Sequence, residues 1–176
     1  MTLTVRQAGE LDREAFVGHF GALYEHSPWV AEGAWERRPF ADVDALHAAF
    51  EAAVAAAPLE RRLALIRAHP ELAGREAQHG ALTADSTSEQ ASAGLDRLTA
   101  EELVRLRELN AAYREAFGFP MVVAVREHTK ASIFEQAERR LAHDRDEEIE
   151  TALAEIGKIA RLRLVGLVDD DEQDAP

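Results

Sequence analysis

The chain has 176 residues, enough for one domain with a sizeable core, and carries a net charge of −13 with no cysteine. The missing thiols exclude a disulfide frame and a thiolate metal site, and the charge sets the body against nucleic acid and anionic membranes. Alanine and leucine dominate, aromatics are 6%, and helix is favoured over sheet.

Apolar residues recur at helical spacing along almost the whole chain. Phe16, Phe20, Leu23 and Tyr24 predict one face of a first helix, and Ser27-Pro28 an N-cap and first-turn pair opening a short helix toward Trp35. Val43, Leu46, Ala49, Phe50, Ala53 and Val54 form the next stripe, closed before Pro58. Leu59, Leu63 and Ile66 carry the one after it, which stops at His69-Pro70. Two capping boxes follow, Ser86 with Glu89 and Thr99 with Glu102. The second opens a long helix through Leu103, Leu106, Tyr113 and Phe117, with Gly118 as its stop. "MVVAV", 121–125, is the single short β-branched run and reads as extended. Ile133, Phe134, Ala137 and Leu141 predict another helix, and Ile149, Leu153, Ile156, Ile159, Ala160 and Leu164 the last. The expected fold is an all-α, single-domain helical bundle of about seven to nine helices over 1–168. An acidic, disordered tail is expected at 169–176. No stretch approaches the roughly 20 apolar residues of a membrane span, and the N-terminus has no signal-peptide core. The expectation is a cytoplasmic protein with neither membrane nor nucleic-acid partner.

Most of the common catalytic patterns are missing. The seven histidines invite a di-iron bundle site, but this needs two Glu-x-x-His pairs and only Glu76–His79 fits. No zinc helix motif, Walker loop, Gly-x-Gly-x-x-Gly turn or Gly-x-Ser-x-Gly elbow occurs. No metal is expected, and most of the histidines are expected at the surface. Three polar clusters at segment ends remain. His69-Pro70 reads either as a helix-terminal histidine, favoured by the helix dipole, with a proline stop, or as an acid–base group aimed by that proline. "STSEQ", 86–90, is a cap, and without conflict with that reading also a helix start whose N–H groups receive an anion, with Gln90 adding a donor and an acceptor. Residues 121–125 are either a buried strand or an unpaired backbone whose N–H and C=O groups meet a cyclic ureide or amide, with Arg126 beside them for a carboxylate.

"AHPELAG", "STSEQASAGLD", "LNAAYREAFGFPMVVAVRE" and "TALAEIGKIARLRL", with "SPWVAEGAW" near the N-terminus, stand in one order. That order resembles the 2-oxo-4-hydroxy-4-carboxy-5-ureidoimidazoline (OHCU) decarboxylases, over about residues 10 to 168. The resemblance implies an all-helical homodimer that uses no cofactor and converts the small molecule OHCU to (S)-allantoin and CO2 in uric acid degradation. It implies His69 as proton donor and Glu89 as its catalytic companion. Substrate contacts would come from Pro70, Ser86, Gln90 and the backbone of Met121, Val122, Val123, Ala124 and Val125, with Arg126 adjacent. Glu127 stands where many relatives have glycine, a competitor for that guanidinium. A non-catalytic acidic helical adaptor explains the composition equally well but leaves the three clusters as coincidences, and a metal-dependent hydrolase ranks third.

Overall fold

A computed structural model describes residues 2–74, 80 and 82–171. The fold is all-α: nine α-helices and one pair of two-residue strands carry the described chain. Contacts divide it into two compact units, Met1–Leu65 with Gly157–Pro176, and Ile66–Ile156. Helices α5 (Leu59–Ala68) and α9 (Arg145–Leu164) contribute residues to both.

In the first unit, β1 (Leu3–Thr4) lies parallel to β2 (Val168–Asp169). Thr4 then caps α1 (Val5–Glu10), its hydroxyl accepting from the Gln7 N–H at 3.3 Å while the Gln7 side chain accepts from the Thr4 N–H at 2.9 Å. Around an aromatic cluster of Phe16, Phe20, Tyr24 and Phe50, with centroids 4.7 to 6.0 Å apart, stand α2 (Arg13–Phe20), α3 (Trp29–Trp35) and α4 (Val43–Ala55). The buried face of α4 is the predicted stripe from Val43 to Val54. Gly33 lets α3 approach closely: a Cβ there would lie 2.8 Å from that of Ala53. Ser27 does not cap α3 through its side chain. Its hydroxyl donates to the Glu25 carbonyl at 2.9 Å, and Pro28 occupies the cap position. The buried Glu25 pairs with Arg163 at 3.0 Å.

The ordered chain runs past the expected boundary at 168. Asp169 sits in β2, the Asp170 carboxylate accepts the Val43 N–H at 2.8 Å, and Asp171 accepts the Arg6 N–H at 3.4 Å. A helix start offers unpaired N–H groups to a carboxylate, which is why acids expected to be solvated are held against the body instead. The rest of the expected tail, 172–176, falls outside the described residues.

The second unit contains α6 (Ala84–Ser92), a 3-10 turn (Leu95–Arg97), α7 (Ala100–Phe117), a second 3-10 turn (Val125–Glu127) and α8 (Lys130–Arg140). The Thr99–Glu102 capping box opens α7, and Gly118 closes it at φ +78°, a left-handed conformation that glycine adopts without a Cβ clash. Packing of Tyr113 on Phe117 at 4.7 Å, and of Phe119 on both at 6.0 Å, folds the chain leaving α7 back over the helix. In α5, Leu63, Leu65 and Ile66 are buried, whereas Leu59 in the first turn is 45% exposed.

Candidate active site

Helix α5 ends at Ala68, with the His69 N–H bonded to the Ile66 carbonyl at 3.2 Å. Pro70 cannot continue the ladder. His69 is buried and Pro70 half-buried. The strand-free segment that follows is pinned at three successive residues. Glu71 pairs with Arg114 at 2.7 Å, the Leu72 carbonyl accepts from Asn110 Nδ2 at 3.0 Å, and the Ala73 N–H donates to Gln90 Oε1 at 3.0 Å. Ala73 has φ +48°, which costs a non-glycine residue about 1–2 kcal/mol and persists only where such contacts over-determine it.

The pin at Ala73 reaches the second polar cluster. Ser86 and Glu89 do not form a capping box. The cap is Thr83, whose hydroxyl accepts from the Ser86 N–H at 3.2 Å, so α6 starts one turn earlier than expected. Ser86 is therefore in the first turn and Glu89 in the helix interior. Ser86, Glu89 and Gln90 are spaced to share one face, and all three are buried. Gln90 has its side-chain carbonyl committed to Ala73, so toward a ligand it offers its amide as a donor.

The third cluster is non-helical from Met121 to Ala124, but Val125 already opens a 3-10 turn and is not extended. Met121 to Val125 are each at most 5% exposed. The Val122 carbonyl accepts from Arg140 Nη1 at 2.7 Å, and the Ala124 N–H donates to Glu155 Oε2 at 2.8 Å. No described residue bonds the backbone of Met121 or Val123. The turn at Val125–Glu127 packs against α6, and Arg67 of α5 donates to the Gly118 carbonyl at 3.5 Å. The three clusters, separate in sequence, thus adjoin one another within one unit. Arg126 stands exposed there and, among the described residues, makes no ion pair with Glu127 or any other acid.

A network that periodicity did not single out lies beneath this segment. Arg140 is 1% exposed and Glu148 fully buried. Arg140 Nε donates to Glu148 Oε1 at 2.7 Å, Nη2 makes a second bond to the same oxygen, Tyr113 donates its hydroxyl there too, and His143 Nδ1 meets Oε2 at 2.9 Å. Burial, then the Glu148 carboxylate, push the Tyr113 phenol well above its ordinary range, so it stays a neutral donor. Arg140 continues the apolar stripe of Ile133 and Ala137, as Asn110 continues that of Leu106.

A cavity of about 410 Å³ flanks α6, lined by Ala73, Thr87, Gln90, Ala91, Leu95 and Leu98 among others. Of the expected site residues it touches Gln90 alone. The Glu76–His79 pair lies outside the described residues, among which no three His, Asp or Glu side chains gather as a metal site would require. Among the described residues the histidines are less exposed than expected. His26 is exposed, but His47, His128 and His143 are half-buried and hydrogen-bonded to the Gly157 carbonyl, Ser132 and Glu148.

The OHCU decarboxylase family matches residues 9–165. The chain is 46% identical to the OHCU decarboxylase of Haloferax volcanii over 92% of its own length and 94% of the relative's. It is 41% identical to that of Mus musculus, over 92% and 91%. Among solved structures, an (S)-allantoin synthase superposes with a TM-score of 0.76 at 30% identity, covering 95% of this chain and 54% of that one. An OHCU decarboxylase crystallised in the presence of (S)-allantoin shares the fold, with a TM-score of 0.65 at 22% identity over 89% and 98%. With the family match spanning residues 9–165 and relatives more than 40% identical over nine-tenths of both chains, the chain belongs to the OHCU decarboxylase family.

Proposed function

We propose that this chain decarboxylates OHCU to (S)-allantoin and CO2 in uric acid degradation, without a cofactor and with His69 as the proton donor. The observation that carries the reading is the meeting of the three polar clusters: Gln90 bonds Ala73, four residues after His69, and the turn after Ala124 packs on the same helix. OHCU bears its carboxylate and a hydroxyl on one ring carbon, next to a carbon–nitrogen double bond. When the bond to CO2 breaks, its electron pair becomes a carbon–carbon double bond, and the imine pair moves to nitrogen, which takes a proton. The resulting enol loses its hydroxyl proton, and the ureido-bearing carbon gains one from His69. One proton is consumed overall, and the substrate's own imine is the electron sink.

The protein supplies orientation and charge stabilisation. Glu89 and the Gln90 amide grip polar ring groups, Ser86 and Pro70 line the ring, the 121–125 backbone receives the ureide, and Arg126 meets the carboxylate. The family resemblance extends the proposal to a homodimer in the cytoplasm, which sedimentation at micromolar concentration and fractionation check. Freshly generated OHCU should lose its ultraviolet absorbance faster with purified protein than in buffer, equally so in the presence of chelator. Loss at the buffer rate would reject the activity, and loss abolished by chelator would reject the cofactor-free route.

A further inference from the structure

Met121 to Ala124 form a buried run with no strand beside them among the described residues, so their backbone polar groups must be matched one by one. Across each trans peptide the C=O of one residue and the N–H of the next point to opposite sides, so a bond to one turns the other away. The observed bonds follow that rule. Val122 gives its carbonyl to Arg140 and Ala124 its N–H to Glu155, whereas the backbones of Met121 and Val123 bond no described residue. We infer that Arg140 and Glu155 are positioning residues for the reaction, holding the 122/124 edge so that the 121/123 edge faces the substrate. The inference rests on the proposed substrate role of this segment.

The two pins come from different helices and have different character. Arg140 on α8 is locked by Glu148, so its Nη1 is a fixed point against the Val122 carbonyl. Glu155 on α9 is half-buried and reaches the Ala124 N–H as a charged acceptor, a stronger bond than a neutral one. One pin takes a carbonyl and the other an N–H, so the segment is fixed at two points and resists rotation of the peptide planes between them. What remains on the other edge is an alternation of donors and acceptors, the complement of a ureide's own N–H and C=O groups.

The test uses amide hydrogen exchange and kinetics on the full chain, with (S)-allantoin as ligand and OHCU as substrate. In the wild type the Ala124 amide should exchange slowly at all times, and the Met121 and Val123 amides should slow only when allantoin is added. Glu155→Ala should raise KM for OHCU and weaken allantoin binding by about tenfold, the loss of one part-buried, charge-assisted hydrogen bond. Its melting temperature should fall by several degrees, because the Ala124 N–H loses its acceptor, while the chain stays folded. Glu155→Gln, whose amide oxygen still accepts, should recover most of the affinity. Arg140→Lys should weaken binding as well, and where it fails to fold the Glu155 pair decides. Wild-type Met121 and Val123 amides indifferent to allantoin would overturn the substrate role of the segment, and the positioning role with it. Protection in the wild type, combined with unchanged KM and allantoin affinity in a folded Glu155→Ala, would overturn the positioning role alone.

Discussion

His69 has its backbone held by α5 on one side and by a proline on the other, and the next residues are tied to Arg114, Asn110 and Gln90. A backbone held so firmly does not depend on the ring's chemistry to stay folded, which makes substitution informative. His69→Asn should melt within a few degrees of the wild type and lose about 10²- to 10⁴-fold in kcat, the usual worth of a general acid. A folded variant with near-normal turnover would remove His69 from the mechanism. Glu89 allows a cleaner experiment than its sequence context suggests. Because Thr83 caps α6, Glu89→Gln leaves the helix start untouched while removing the charge. Activity should fall by at least tenfold with little change in thermal stability; intact activity would make Glu89 structural. Arg126, exposed and unpaired among the described residues, is free to meet a carboxylate. Arg126→Ala should raise KM more than Arg126→Lys, since lysine keeps the charge and loses the fork. Equal KM in both variants and the wild type would place the side chain in water only.

Helix ends decide how these residues are presented, and here the sequence was unevenly legible. Thr99 with Glu102 was readable because both halves of the box are the expected types. Ser86 with Glu89 matches the same pattern and was misread, because Thr83 three residues earlier offers an equivalent hydroxyl and local sequence does not rank the two. The Glu102 carboxylate is held below its ordinary range by the Thr99 N–H first, and by Lys130 at 2.9 Å. A carboxyl lowered on folding contributes stability above its unfolded range and loses it as pH falls through the folded value. Glu102→Gln should therefore melt lower than the wild type at neutral pH, and the gap should close on acidification below the usual carboxylate range. A gap that is constant with pH would mean that Glu102 contributes by its shape alone. The stripe of α4 was read residue for residue, since one continuous buried face dictates it. Arg140 was not, because a charged residue in an apolar stripe is read as solvent-facing unless its partner is known. That partner, Glu148, lies on another helix.

For the molecule as a whole, periodicity yielded an all-α fold, and ordered motifs yielded the family. Neither could say which backbone groups of 121–125 are already satisfied, because that depends on Arg140 and Glu155 arriving from α8 and α9. In the proposed reaction one unit holds a flat ring between that backbone and the start of α6, with one face turned to His69. Free OHCU also loses CO2 in water, where the new proton reaches the ureido-bearing carbon from either side. The decisive measurement is circular dichroism of fresh allantoin formed by the protein in D2O, recorded before it racemises, with mass analysis and an enzyme-free control. The account predicts (S)-allantoin alone, carrying one deuterium on that carbon. Faster loss of OHCU giving racemic allantoin from the first time point would contradict it: the proton would then come from bulk water, and His69 would not be the donor.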